Sequence, residues 1–330
     1  MVNVGIIGIG YWGANLLRTF NDVEGAQVRA IAEKKPGRVE FVRKRYPHVE
    51  CLSDYKDLAV REDIDAVVIS TPVPTHAEVA AFFLEAGKHV FVEKPLAHTA
   101  AEARRIRDLA KAKGLIVAVG HVYQFSPAVQ WMGNALHSDK LGEVFHLDSM
   151  RINLGPPNSD VDVVWDLAPH DLSIILHILK QGGLSTKVKD LQVKNRAYQR
   201  TISDLVHFFL EFESGVTAHV HVSWVTSSKV RLLHMSCAKG TVVFDDMAPQ
   251  EKIKYFSEAI DNRLQADDKH SHDLSYRPGD IFIPTLPRTE PLLSECRHFI
   301  ECVAKGEQPI NGADIGVEVV ELLEQISPLT

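Results

Sequence analysis

Apolar and polar positions alternate in two different ways along this chain. Over the first 120 residues, short apolar runs are separated by helical patterns. The runs are Val2 to Ile7, Gln27 to Ala32, Asp65 to Ser70, His89 to Val92 and Leu115 to Gly120, with a short one at Cys51-Leu52. Continuous apolar runs of this length read as strands buried on both faces, and strands alternating with helices predict a parallel sheet covered on both sides. Ser53-Asp54 cap a small helix. Thr75 with Glu78 and Thr99 with Glu102 have the spacing of capping boxes that open helices ending near Gly87 and Gly114. The fold class expected is a Rossmann-type α/β domain over residues 1–121.

From Gly142 onward the period shortens. Val144 to Asn153, Val188 to Tyr198, Asp204 to Phe212, Val216 to Val225, Lys229 to Cys237 and Thr241 to Asp246 read as successive strands, with hairpin chemistry at Glu213-Ser214-Gly215 and Ala238-Lys239-Gly240. Helices are expected over Trp165 to Lys180, Glu290 to Ala304 and Ala313 to Gln325. Gln265 to Arg288, rich in Asp, His, Ser and Pro, reads as a long loop. Residues 122–330 are thus expected to form one α+β domain, a large, mostly antiparallel open sheet with helices on one face. The strand Thr217 to Trp224 is taken to leave a second, apolar face to be covered, which predicts a homo-oligomer, dimer or tetramer, through this sheet.

Composition narrows the classes. With 330 residues, 45% hydrophobic and 24% charged, the chain has the make-up of a soluble two-domain protein. A net charge of −7 argues against nucleic acid or an anionic membrane as principal partner. No apolar stretch reaches ~18 residues, so no membrane span is expected. Met1-Val2-Asn3 lacks the basic start of a signal peptide. The four cysteines include no CxxC pair and read as reduced thiols of a cytoplasmic protein.

The chemistry begins at the first turn. Gly8-Ile9-Gly10-Tyr11-Trp12-Gly13 lies between a strand and a helix, the order a dinucleotide site requires. Gly8 permits the tight turn, Gly10 lets a pyrophosphate approach the backbone, and Gly13 lets helix and strand pack closely. The helix N-terminus offers free N–H groups to phosphate. Glu33 follows the second strand 20 residues after Gly13, the distance for an acid that meets the adenosine ribose. A carboxylate there favours NAD, while Lys34, Lys35 and Arg38 leave NADP as the alternative. Ser70-Thr71-Pro72 with His76, and Glu93-Lys94-Pro95, end the fourth and fifth strands, where a ligand of an open parallel sheet lies. His121 and Tyr123 follow the sixth.

In the second half, Asp166 and His170 stand four apart in Trp165-Asp166-Leu167-Ala168-Pro169-His170-Asp171, so both project from one helix face near its start. There Pro169 is expected in the first turn, which tolerates it. Imidazole suits proton removal from an alcohol near neutral pH, against the plainer reading of a capping aspartate and a packed histidine. Arg151 and Asn153 end a strand and are candidates for a sugar or diphosphate, with an edge-strand salt bridge as the structural alternative. His219 and His221 alternate on one strand face and read as packing, not as metal ligands. His270 and His272 read as solvated. No metal site is expected.

The glycine fingerprint, Thr71-Pro72 with His76, Glu93-Lys94-Pro95 and the DxxxH pair Asp166/His170 together resemble the glucose–fructose oxidoreductase / inositol dehydrogenase family over nearly the whole chain. The resemblance implies an NAD(P)-dependent sugar oxidoreductase acting on CH–OH groups. It implies that Lys94 contacts substrate beside the nicotinamide and that His170, with Asp166, is the acid/base. Members commonly assemble through the second sheet. The chain departs from the family in having Val161 and Asp162 where two glycines often precede the aspartate, so its substrate-side loop is shaped differently. Gly10-Tyr11-Trp12-Gly13-Ala14-Asn15-Leu16-Leu17-Arg18 with the Trp165–Asp171 segment resembles the nucleotide-sugar branch that oxidises C3 of UDP-N-acetylglucosamine. The alternatives are UDP-N-acetylglucosaminuronate, a free hexose or inositol as substrate, a keto-sugar reductase, a redox-neutral cycle through transient oxidation, or a non-catalytic NAD(P)-binding regulator.

Overall fold

The computed structural model describes residues 1–155, 161–199, 201–261, 275–277 and 279–328. By its contacts the chain divides into two units, Met1–Phe125 with Thr289–Thr330, and Ser126–Arg288. The last two helices therefore belong with the first unit, not with the second as the domain expectation had them.

In the first unit β1 (Val2–Ile7), β2 (Ala26–Ala32), β3 (Glu50–Leu52), β4 (Ala66–Ile69), β5 (His89–Val92) and β6 (Val117–Val119) form a parallel sheet of order β3-β2-β1-β4-β5-β6. This is the doubly wound order, in which a ligand sits outside the carboxyl ends where strand order reverses, between β1 and β4. α1 (Tyr11–Asp22), α2 (Pro36–Arg45), α3 (Lys56–Ala59), α4 (His76–Glu85) and α5 (Ala100–Lys113) connect the strands. Thr99 and Glu102 form the expected capping box on α5. The box expected at Thr75 does not form. Val73–Thr75 winds into a 3₁₀ turn, and the Thr75 hydroxyl donates to the Pro72 carbonyl at 2.7 Å instead of capping α4.

Apolar packing explains why the C-terminal helices return. α8 (Pro291–Lys305) places Leu292, Cys296, Phe299 and Ile300 in the core built by β1 and α1. Phe20, Phe91 and Phe299 meet edge-on with centroids 5.6–6.3 Å apart, contacts worth about 0.5–1.5 kcal/mol each beyond area burial. α9 (Ala313–Ile326) packs on α5.

The second unit begins with α6 (Pro127–His137), which the hydropathy pattern did not reveal. Its eight-stranded sheet contains β7 (Val144–Leu154), β8 (Val188–Arg196), β9 (Leu205–Phe212), β10 (Thr217–Ser223), β11 (Val225–Cys237), β12 (Gly240–Asp245), β13 (Ile253–Phe256) and, after the pair β14 (Ala259–Asp261) and β15 (Ser275–Arg277), β16 (Ile281–Phe282). The order is β16-β13-β12-β11-β7-β10-β9-β8, antiparallel except for β7 with β10. β7 is thus interior, not an edge strand. β14, β15 and β16 fall in or beside the stretch expected to be a loop. α7 (Val163–Gln181) covers one face of the sheet, receiving Ala218, Val220 and Val222, which are buried. The opposite face is not the apolar surface expected. It carries Thr217, His219 and His221 beside Asp148, His207 and Phe209.

Candidate functional site

The turn between β1 and α1 has the shape the fingerprint demands. Gly8 has φ +83, a left-handed conformation strained for other residues. A Cβ on Gly13 would stand 2.0 Å from the Gly8 carbonyl oxygen and 2.6 Å from Ser70 Oγ, so no side chain fits there. A Cβ on Gly10 would meet nothing within 4 Å. The open space at Gly10, directly before the free N–H groups of α1, is the cradle a diphosphate needs. Tyr11 and Trp12 are exposed beside it. The Glu33 carboxylate accepts from Ile9 N at 2.7 Å and from Lys35 N at 2.8 Å, so it holds the turn. Ser70 Oγ donates to the Gly8 carbonyl at 2.7 Å and ties the end of β4 to the same turn. The residues of this unit fit a dinucleotide.

Two expected cofactor contacts prove to be internal. His76 is buried, with Nε2 2.8 Å from the Thr71 carbonyl and Nδ1 2.9 Å from the Pro95 carbonyl. It braces the Thr71-Pro72 segment against the segment after Lys94. Burial, partly offset by these bonds, lowers its pKa. A neutral ring donates to only one of the two carbonyls. His121 is wholly buried, neither ring nitrogen has a hydrogen-bond partner, and burial with Lys94 nearby pushes its pKa down to about 3. It is a neutral ring beneath the strand ends. Thr71, Glu93, Lys94 and Tyr123 keep partial exposure there. Enough protein surrounds the Glu93 carboxyl that burial pushes its pKa up to about 7 against the pull of Lys94.

In the second unit the decisive element is α7. Asp162 is its N-cap, its Oδ1 accepting from Val164 N at 3.0 Å and Trp165 N at 3.1 Å. The departure from the family's glycines thus starts the helix earlier than expected, and Pro169 lies inside it rather than in the first turn. From Val163 to Leu179 every residue is buried except Asp166 and His170. One turn apart, they are the two partly exposed residues of this stretch; the helix opens again only at its end, at Lys180 and Gln181. Asp162, not Asp166, caps the helix, and His170 is half-buried with its Nδ1 enclosed.

Arg151 turns inward. Its Nε donates to Asp171 Oδ2 at 2.7 Å, both side chains 3% exposed, and Ser149 Oγ donates to Asp171 Oδ1 at 2.8 Å. The salt-bridge alternative describes it, within an interior strand. Asn153 is partly exposed and its Nδ2 donates to the Leu154 carbonyl at 2.8 Å. His219 and His221 stack with His207, at centroid separations of 5.3 and 4.0 Å to it. Among the described residues no group of His, Cys, Asp or Glu is arranged to hold a metal ion, and none of their helices is long and apolar enough to cross a membrane. All four cysteines are free. His270 and His272 lie outside the described residues. Sequence reasoning missed Glu295, Asn311 and Asp171, three buried polar residues whose partners are distant in the chain. A polar residue interrupting the apolar face of a helix was the only signal for the first and last.

Comparison with known proteins bears on both units. Residues 2–121 match the model of the oxidoreductase family with an NAD-binding Rossmann fold, and residues 129–243 match the GFO/IDH/MocA C-terminal domain. Inositol 2-dehydrogenase 1 of Saccharopolyspora erythraea is 31% identical, over 67% of each chain. UDP-N-acetylglucosamine 3-dehydrogenase of Acidithiobacillus ferrooxidans is 27% identical over 71% of each. The solved structure of the latter superposes with a TM-score of 0.82 at 21% identity, covering 98% of this chain and 96% of that one. An oxidoreductase from Magnetospirillum magnetotacticum gives a TM-score of 0.81 at 28% identity, covering 99% of both.

Proposed function

The chain belongs to the GFO/IDH/MocA oxidoreductase family, and from that premise we propose that it oxidises a secondary alcohol of a nucleotide sugar, C3 of UDP-N-acetylglucosamine, to the ketone. It is an NAD-binding sugar oxidoreductase; the sugar and the residues that act on it are what is proposed. The observation carrying the proposal is the pair Asp166 and His170, the two partly exposed residues of the stretch from Val163 to Leu179, one turn apart on α7.

When bound, the dinucleotide supplies a hydride acceptor. The turn from Gly8 to Gly13 and the start of α1 would hold its diphosphate, and Glu33 its adenosine ribose, with Thr71 and Pro72 at the end of β4 alongside. Glu33 repels a 2′-phosphate, whereas exposed Lys34, Lys35 and Arg38 are the groups through which NADP would compete. His170 takes the hydroxyl proton, and the Asp166 carboxylate one turn away favours the imidazolium so formed. Lys94 gives a charged hydrogen bond to the oxygen as it loses that proton. Tyr123 and Asn153 are assigned to the sugar. The second sheet's open face is assigned to contact with another copy of the chain, as a dimer or tetramer.

The inositol relatives support a second reading, in which a free cyclic polyol is the substrate. A panel of UDP-sugars, hexoses and inositols, each with NAD and NADP, separates the two by absorbance at 340 nm. Lys94→Ala and His170→Ala should each lower kcat by about 10²–10⁴ while NAD affinity stays within a few fold. Near-normal kcat in either variant would show that the roles are misassigned.

A further inference from the structure

His76 joins the two strand ends to which the cofactor and the lysine are assigned, and it is too buried to reach a ligand itself. It is the first residue of α4, it is 1% exposed, and its ring bridges the segments that follow the neighbouring strands β4 and β5. Nε2 is 2.8 Å from the Thr71 carbonyl oxygen, and Nδ1 is 2.9 Å from that of Pro95. Carbonyl oxygens only accept, and a neutral imidazole has one N–H. One of these contacts is therefore a hydrogen bond, and the other is a lone pair held against an oxygen.

The two segments differ in what else fixes them. At the end of β4, Ser70 Oγ donates to the Gly8 carbonyl at 2.7 Å, and Thr71 Oγ1 and Thr75 Oγ1 are 2.7 Å apart. Thr75 N donates to the Pro72 carbonyl at 2.9 Å. That segment keeps its place without the ring. After β5, Pro95 has no N–H with which to anchor the chain, and its carbonyl is where His76 reaches the residue next to Lys94.

We propose that His76 is a positioning residue for Lys94, carrying its ring proton on Nδ1 and holding, through the Pro95 carbonyl, the backbone from which the lysine projects. The inference rests on the assignment of Lys94 to the substrate oxygen. Thr71 serves as the fixed stop on the other side of the ring, so the lysine segment is registered to the turn that Ser70 ties to Gly8. Such registration matters because a misplacement of about 1 Å can cost on the order of 10² in rate. Burial, which outweighs the two carbonyl contacts and is joined by the charge of Lys94, lowers the pKa of the ring, so at neutral pH it has this one proton to give.

Two amides separate the contacts. The amide nitrogen of asparagine stands where Nδ1 does, and that of glutamine where Nε2 does. His76→Asn thus keeps a donor for Pro95, His76→Gln keeps one for Thr71, and His76→Leu keeps neither. In the full chain, His76→Gln and His76→Leu should each lower kcat by about tenfold or more, while His76→Asn stays within about threefold of wild type. A role in packing alone predicts the opposite order, because glutamine and leucine fill the buried site better than asparagine.

Two readouts need no turnover. The ring ¹⁵N spectrum of the wild-type chain should show the proton on Nδ1. Lys94 should be reductively methylated at a rate changed about threefold or more in the glutamine and leucine variants and within about twofold of wild type in His76→Asn, read by peptide mass spectrometry. If His76→Leu does not fold, the two amide variants carry the comparison. A ring proton on Nε2, or kcat retained in His76→Gln and lost in His76→Asn, overturns the proposal, as does a Lys94 labelling rate that no variant changes. Failure of the sugar-oxidation reading looks different: wild type turns over no alcohol in the panel, while the ring spectrum and the labelling of Lys94 still decide where His76 acts.

Discussion

In the second unit a carboxylate is buried against a guanidinium, Asp171 with Arg151, and both of its oxygens accept a hydrogen bond. In the first a carboxyl is buried near another carboxyl, Glu295 near Glu93, with one oxygen unpartnered. The opposite-charge grouping compensates its own desolvation and can serve as a fixed strut between β7 and α7. The like-charge grouping cannot compensate in that way. It lowers its cost only by holding a proton, which makes it responsive to pH. The difference teaches that burial alone does not decide whether a polar cluster responds to pH; the sign of the neighbour does.

The largest expected effect comes from breaking the compensated side of this comparison. Arg151→Met leaves the Asp171 charge buried with Ser149 as its neutral donor, and should cost about 3–5 kcal/mol in chemical denaturation. Adding Asp171→Leu should restore most of that loss. A cost below about 1 kcal/mol for the single variant would mean that the pair is not compensated by charge.

The uncompensated side responds more mildly and with a definite sign. Glu93 has its pKa raised from 4.5 to about 7 in the folded chain, so between these values the folded state binds more protons than the unfolded one. Its contribution to stability is therefore present at low pH and is lost as pH rises through about 7. Glu93→Gln removes that loss and should be more stable than wild type at pH 8 by about 1–2 kcal/mol, read as a smaller gap between melting temperatures at pH 5 and pH 8. His121 acts in the other direction. With its folded pKa near 3, it costs stability as pH falls from 6.5 towards 3, so an acid-side decline should survive in Glu93→Gln. The smallest effect is a surface reference. Arg104 pairs with Glu321 at 2.5 Å, the side chains being 47% and 35% exposed, and Arg104→Ala should cost less than about 1 kcal/mol.

What was legible in the sequence was local. The glycine turn could be read because Gly8, Gly10 and Gly13 each answer a constraint set within a dozen residues. The Thr99–Glu102 box could be read for the same reason. The identical spacing at Thr75 misled, because Pro72 lies close enough to take the threonine hydroxyl first. The Asp166/His170 stripe was visible as a spacing, but its context was not: Asp162 two positions earlier than expected took over the cap and moved Pro169 inward. Asn311 was illegible, since it meets β6 across 192 residues of chain, and Glu295 was illegible because its hydrogen-bond donor is that asparagine. Arg151 was ambiguous until β7 proved interior to the sheet. The return of α8 and α9 to the first unit depends on Phe299 finding Phe20 and Phe91, a match no window of sequence displays.

That return has a consequence for biosynthesis. Because Asn311 and α8 complete a sheet whose six strands end at Val119, a growing chain on the ribosome emits the whole intervening unit before the earlier one receives its final pieces. Nascent chains halted near residue 280 should accordingly expose the apolar surface that awaits Phe299. The Rossmann half would become resistant to protease only when translation is nearly over.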